Sequence, residues 1–257
     1  MCCKDFCKNL FGQSSNTTED TGELAHPSIS FEEDTHVRDD EWKQYPDLVV
    51  CLDNGHGEDT PGKRSPYASH GTPPELYFRE YEWAREIAKM LKKALEKNGV
   101  EVYMVCPETN DISLTTRYKR ANNKQQEDRN KHHLFVSIHA NAASNGEWSN
   151  ARGWSAYTTK GKTNSDKLAD CLYDAAEEVL CPMGIKIRQD VYSDGDRDYE
   201  QNFTVIYGSN MPAVLTENLF QDNVEDVEFL LSDEGKEAIV ELHRRGILYY
   251  ADRFLKM

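Results

Sequence analysis

Four side chains stand where chemistry could be done: His56, Glu80, His139 and Glu217. Three of them close short apolar runs. LFVSIHANA (134–142) opens as a strand buried on both faces of a parallel sheet and then spends a position on His139. LVVCLD (48–53) breaks into Asn54, Gly55, His56 and Gly57, and PAVLTEN (212–218) reaches Glu217. Ligands of open α/β sheets bind outside the carboxyl ends of the strands, so three such ends on one rim would bring two imidazoles and a carboxylate together. The fourth residue belongs to a helix expected over 75–98. At 3.6 residues per turn, Glu80 shares a narrow arc with Ala84, Ile87, Leu91 and Leu95, whereas Glu75, Glu82 and Glu86 point elsewhere. A carboxylate on a buried stripe is costly unless it is paired or binds a metal. A salt bridge to Arg79, Arg117 or another base is the competing reading.

Two imidazoles, one carboxylate and an open fourth position make a catalytic zinc set, here His56, Glu80 and His139. Gly55, Gly57 and Ala140 beside them permit close approach. His70, His132 and His133 lie in a polar loop or a charged pre-strand segment and are set aside. Glu217 is the candidate general base: zinc lowers the pKa of its water towards about 7, and a nearby carboxylate can take the proton. Asp53 is expected to accept a hydrogen bond that orients His56. Arg117, in LTTRYKRAN, is expected to anchor its helix or to hold a carboxylate, the structural role being favoured.

The elements that must position these groups alternate along the chain. Strands are expected over 48–52, 100–106, 134–142, 153–159 and 212–217, with a short one over 204–207. Helices are expected over 75–98 with Gly99 just past its end, 109–128, 165–180, 224–231 and 233–255. The fold class is therefore α/β: a single domain over 46–257, with a mostly parallel central sheet and helices on both faces. Residues 1–45 are polar and turn-rich and read as a flexible lead-in. Residues 54–74 form a Gly/Pro/Ser-rich loop typical of a site, and 181–203 are irregular and charged.

A net charge of −15 argues against nucleic acid as a partner. No apolar run is long enough to span a bilayer. The N-terminus lacks the apolar core of a secretory signal, so the expected localisation is synthesis in the cytoplasm. Seven cysteines without paired CxxC motifs read as free thiols of a reducing compartment. Lipid attachment or metal scavenging by Cys2, Cys3 and Cys7 is a weaker alternative.

Taken together, LVVCLDNGHG, EYEWAREIAKMLKKAL, LTTRYKRANN, LFVSIHANA, MPAVLTENLF and the closing helices resemble the zinc-dependent N-acetylmuramoyl-L-alanine amidases of the type 3 catalytic family. They occur in the family's order from Asp47 to the C-terminus. The resemblance implies a phosphorylase/hydrolase-like fold and hydrolysis of the peptidoglycan amide between N-acetylmuramic acid and L-alanine. His56, Glu80 and His139 match the family's zinc ligands, and Glu217 matches its catalytic glutamate. Four positions depart from the pattern. The family usually has Pro where Asn54 stands, Gly where Glu58 stands, and a small residue followed by Gly where Asn218 and Leu219 stand. Its export signal and wall-binding repeats are also missing, so the protein would reach the wall as a phage lysin or by another route. The competing functions are a zinc peptidase acting within the stem peptide and a catalytically silent peptidoglycan-binding module.

Overall fold

The computed structural model describes residues 43–66, 73–193 and 195–255. The expected lead-in over 1–45 falls almost wholly outside them, as do Cys2, Cys3, Cys7 and His70. The strands are β1 Leu48–Asn54, β2 Glu101–Met104, β3 His132–Asn141, β4 Ser155–Thr158, β5 Tyr199–Glu200 and β6 Ala213–Phe220. They form one sheet in the order β2-β1-β3-β6-β4-β5. The neighbours β2, β1, β3 and β6 run parallel, β4 pairs antiparallel with β6, and β5 follows β4. The helices are α1 Glu80–Lys97, α2 Leu114–Glu127, α3 Asn164–Leu180, α4 Thr204–Tyr207, α5 Val224–Leu231 and α6 Asp233–Phe254.

The period of two along the strands sorts side chains between two cores. Leu48, Val50 and Leu52 of β1, Leu134, Val136 and Ile138 of β3, and Val214 of β6 pack with α1, α3 and α6. The alternate residues Cys51, Phe135, Ala213 and Leu215 meet Ala121 of α2 and Val205 and Ile206 of α4. Each fully buried aliphatic side chain contributes about 1.5–3 kcal/mol, so the larger first face dominates stability. The mostly parallel sheet with helices on both faces agrees with the expectation from sequence. Cys51, Cys106 and Cys171 are buried free thiols, as expected. No described helix is long and apolar enough to cross a membrane.

Several boundaries moved, each for a local reason. The first helix begins at Glu80 and not near 75: Pro74–Leu76 form a separate 3-10 turn, and Arg79 pairs across to Arg64 in an isolated bridge. Gly99 does close α1 in the left-handed conformation, with its N–H donating to Glu96 O. The second helix starts at Leu114 because the Ser113 hydroxyl caps it through Thr116 N, leaving 109–111 free to brace the loop after β1. The strand expected over 204–207 is a single helical turn, α4. Its Val205 and Ile206 bury in the second core, and the Asn122 amide donates to Gly208 O behind it. The extra strand is instead β5, inside the segment read as irregular.

Candidate active site

Glu80 is the first residue of α1, so its carboxylate lies at the positive end of the helix dipole. The stripe below it is buried as the spacing requires: Ala84, Ile87, Leu91 and Leu95 are all inaccessible, and so is Glu80 itself. Neither arginine pairs with Glu80. Arg79 pairs with Glu82, and Arg117 with Asp53 and Asp111. Glu80 Oε1 instead lies 3.0 Å from His139 Nδ1 and 3.5 Å from His56 Nε2, and accepts the Ala140 N–H.

His56 stands two residues beyond β1 with φ of 61°, a conformation costing a non-glycine residue about 1–2 kcal/mol. Arg117 stabilises it: the guanidinium donates to Asn54 O at 3.1 Å and to His56 O at 3.3 Å. Gly55 is required by the His139 ring, since a Cβ there would lie 2.4 Å from that ring's atoms. Gly57 packs equally tightly on the backbone of Asp111. The two imidazoles meet edge to face, with centroids 5.0 Å apart.

Asp53 does not orient His56 directly. One oxygen accepts from Arg117 Nη1 at 2.8 Å and the other from the Ser137 hydroxyl at 2.6 Å. Both oxygens of the buried carboxylate are thus engaged, and Asp53 reaches His56 only through Arg117. Arg117 itself fulfils both halves of its expectation: Nε donates to Ile112 O, anchoring α2, and the fork holds two carboxylates.

Glu217 is the register partner of His139. Their side chains leave the same side of the sheet from strands about 4.8 Å apart. Neither residue ends its strand. The pairing continues to Asn141 and Phe220 past an irregularity, and Leu219 adopts φ of 65° there. The apolar run stops before the hydrogen bonding does, because Asn218 takes over the work of the core. Its amide donates to His139 O at 2.9 Å, and its oxygen accepts the Trp154 indole N–H at 2.9 Å. Thr216 Oγ1, 2.9 Å from His243 Nε2, continues this buried network to α6. Sequence reasoning singled out Asn218 only as a departure from a family pattern. Its hydrogen-bonding role had no periodic signal.

The electrostatics separate the four groups. Burial lowers the His56 imidazole to about 4, which makes it a neutral lone-pair donor at pH 7. Burial would raise Glu80, but the hydrogen bond to His139 and the nearby His56 outweigh it and hold the carboxyl below its ordinary value. His139 is raised: burial opposes its charge, and Glu80 more than offsets that. Burial raises Glu217 to about 7, and its Oε2 has no hydrogen-bond partner among the described residues.

His56, Glu80 and His139 each offer a ligand atom within 4.8 Å of the others. Glu80 Oε2 is buried and has no hydrogen-bond partner among the described residues. Two nitrogens, one carboxylate and a buried oxygen without a partner fit a divalent ion such as zinc.

Fold and site together describe an α/β domain with a candidate catalytic metal centre towards the carboxyl ends of β1 and β3 and at the start of α1. The sequence pattern of the N-acetylmuramoyl-L-alanine amidase family matches residues 50–249, and the chain belongs to that family. It is 30% identical over 204 residues to an endolysin of Bacillus phage SPP1, covering 77% of this chain and 64% of the endolysin. It is 26% identical over 238 residues to the amidase AmiC of Escherichia coli O6:H1, covering 80% of this chain and 53% of AmiC. The chain thus spans between half and two thirds of the length of these relatives. Among solved structures it is similar to an N-acetylmuramoyl-L-alanine amidase from Clostridium difficile 630. That likeness has a TM-score of 0.66 at 26% identity and covers 82% of this chain and 99% of that one. The catalytic domain of CwlV from Bacillus (Paenibacillus) polymyxa shares the fold, with a TM-score of 0.62 at 23% identity over 80% of this chain and 98% of that one.

Proposed function

We propose that the chain is a zinc-dependent peptidoglycan hydrolase that cleaves the amide between the lactyl group of N-acetylmuramic acid and the L-alanine of the stem peptide. His56, Glu80 and His139 would hold the metal, and Glu217 would move the proton. The observation that carries this reading is the convergence of three ligand atoms around a buried Glu80 oxygen without a hydrogen-bond partner, with Glu217 in register beside His139. Family membership and likeness to an endolysin and to bacterial amidases support the substrate and its place at the cell wall.

Zinc, when bound, supplies a Lewis acid that polarises the carbonyl and acidifies water. The remaining work falls to the chain. Glu217, raised to about 7, is close to half ionised at neutral pH and can both accept and return a proton. It takes one from the water whose oxygen bonds to the carbonyl carbon. It then gives that proton to the nitrogen as the C–N bond breaks, leaving a lactyl carboxyl group and a free L-alanine amine. The Asp53–Arg117 pair keeps His56 in its strained conformation throughout, and Asn218 fixes the His139 backbone.

Digestion of purified peptidoglycan, with products identified by mass spectrometry, tests the reading. Stem peptides with a free L-alanine amine, lost on chelation and restored by zinc, are expected. Shortened stems still attached to sugar would replace the amidase with a peptidase. No cleavage by zinc-loaded protein would leave a binding module.

A further inference from the structure

We propose that Arg188 is a substrate-binding residue that receives a carboxylate of the stem peptide; this rests on the amidase reading above. Arg188 follows α3, in the segment 181–203 for which the family resemblance offers no pattern. Its guanidinium lies over two rings, 4.9 Å from the Phe220 centroid and 5.6 Å from that of Tyr199. Among the described residues it meets no carboxylate. Its neighbours differ: Arg197 is paired with Asp170, Asp174 and Glu177, and Arg152 with Glu225 and Asp226. A guanidinium resting over aromatic rings spends none of its N–H donors on them, and its fork of donors matches a planar carboxylate.

The position of Arg188 makes that fork useful. Its N–H donates to Trp154 O at 2.8 Å, and its carbonyl accepts the Tyr173 hydroxyl at 3.0 Å, which fixes the backbone beside β4. Ser155, which follows Trp154 and opens β4, is the register partner of Glu217. Arg188 also lines an open cavity of about 460 Å³ with Lys186, Gln189 and Tyr199. Lys63, in the loop after β1, is a second cation that meets no carboxylate among the described residues, and its charge is felt at His56, Glu80 and Glu217. The charge of Arg188 also acts on Glu217, so both cations face the same carboxylate. Stem peptides supply the missing charge from two sources: the free α-carboxylate of a γ-linked glutamate and the terminal carboxylate.

The test uses three synthetic muramoyl tripeptides: one with only the internal carboxylate, one with only the terminal carboxylate, and one with both amidated. Binding is titrated on zinc-loaded Glu217→Gln protein with and without Arg188→Ala, and hydrolysis is followed in parallel with Glu217 intact. One carboxylate is expected to tighten binding by about ten- to a hundredfold over the diamide. That advantage is lost in Arg188→Ala and partly kept in Arg188→Lys, while binding of the diamide is unchanged by either substitution. The probe that shows the advantage identifies the source. Equal weakening of all three probes by Arg188→Ala would overturn the proposal and make Arg188 a prop for Phe220 and Tyr199. Equal affinity of the Glu217→Gln protein for all three would also overturn it. Cleavage without discrimination sinks this inference and leaves the amidase reading intact. Selective binding without cleavage does the reverse.

Discussion

Arg117 and Arg188 flank the same site and are built in opposite ways. Arg117 is 1% exposed, and its guanidinium donates to two carboxylates and to the carbonyls of Ile112, Asn54 and His56. Around it Asp53, Ser137 and the Cys106 thiol complete a closed network under the His56 loop. Arg188, across β6, rests on two aromatic rings beside a cavity. The β1 flank spends its polar groups on itself and so fixes where His56 stands. The β4–β5 flank leaves donors free, which suits recognition of a ligand. Glu217, between the two, lacks the hydrogen bonds that hold Glu80.

The sharpest way to separate the flanks is Glu217→Gln. The side chain keeps its shape but cannot take a proton, so hydrolysis should fall by about 10²–10⁴-fold. The zinc content, measured by atomic absorption, should stay at the wild-type level, because the three proposed ligands, His56, Glu80 and His139, are left intact. Loss of zinc together with activity would place Glu217 in the metal set and erase the division. Next in size is Arg117→Ala. It leaves Asp53 buried and uncompensated, a change that destabilises proteins by about 3–5 kcal/mol. A urea midpoint close to wild type would show that the closed network is not what holds the His56 loop. By contrast, Arg188→Ala should move that midpoint little.

The same contrast explains how much could be read in the sequence. His56, Glu80, His139 and Glu217 stood out because each interrupts an apolar pattern: three at the close of strand-like runs, and Glu80 on the stripe of Ala84, Ile87, Leu91 and Leu95. Burial is periodic, so a polar residue at a buried position is visible. The network residues were not visible in that way. Ser137, Asp111 and Asn218 act through specific hydrogen bonds across the fold, and spacing carries no signal for partners up to 84 residues apart. Asp53 was seen but given the wrong partner for this reason. The strand expected at 204–207 failed because β-branched residues suit a buried turn as well as a strand once the second core covers them.

A pH series probes whether the back of β6 is as closed as the β1 flank. His243, fully buried on α6, bonds Thr216 Oγ1 and Ile239 O, and burial lowers its pKa from 6.5 to about 4. The unfolded chain takes up this proton near 6.5 and the folded chain only near 4. The contribution to stability is therefore complete above 6.5 and is lost as the pH falls from 6.5 towards 4, by about 3 kcal/mol at most. Urea midpoints of wild type and His243→Gln, both with chelator present so that metal release does not intrude, isolate the group. The wild-type curve should be the steeper between these pH values. Parallel curves would mean that His243 is protonated in the folded chain and that the network behind β6 is open to water.

The smallest expected effect is also the most diagnostic of how β6 was adapted beyond Glu217. Leu219 has φ of 65° and is fully buried. It stands where the amidases usually have glycine, which adopts that conformation without strain. Replacing it with alanine removes the packed side chain, at about 2–5 kcal/mol, and keeps the strained backbone. Replacing it with glycine removes the same side chain but releases about 1–2 kcal/mol of left-handed strain. Leu219→Gly should thus be destabilised by about 1–3 kcal/mol and remain more stable than Leu219→Ala. That order is the reverse of the one found at ordinary positions, where glycine is the worse residue by about 0.5–1 kcal/mol. Urea midpoints of the two variants decide it. If alanine is the more stable, Leu219 is not strained in solution, and the irregular pairing between Asn141 and Phe220 must relax to an ordinary strand. If glycine wins, side-chain packing at Leu219 offsets a backbone shape that the strand requires at this point.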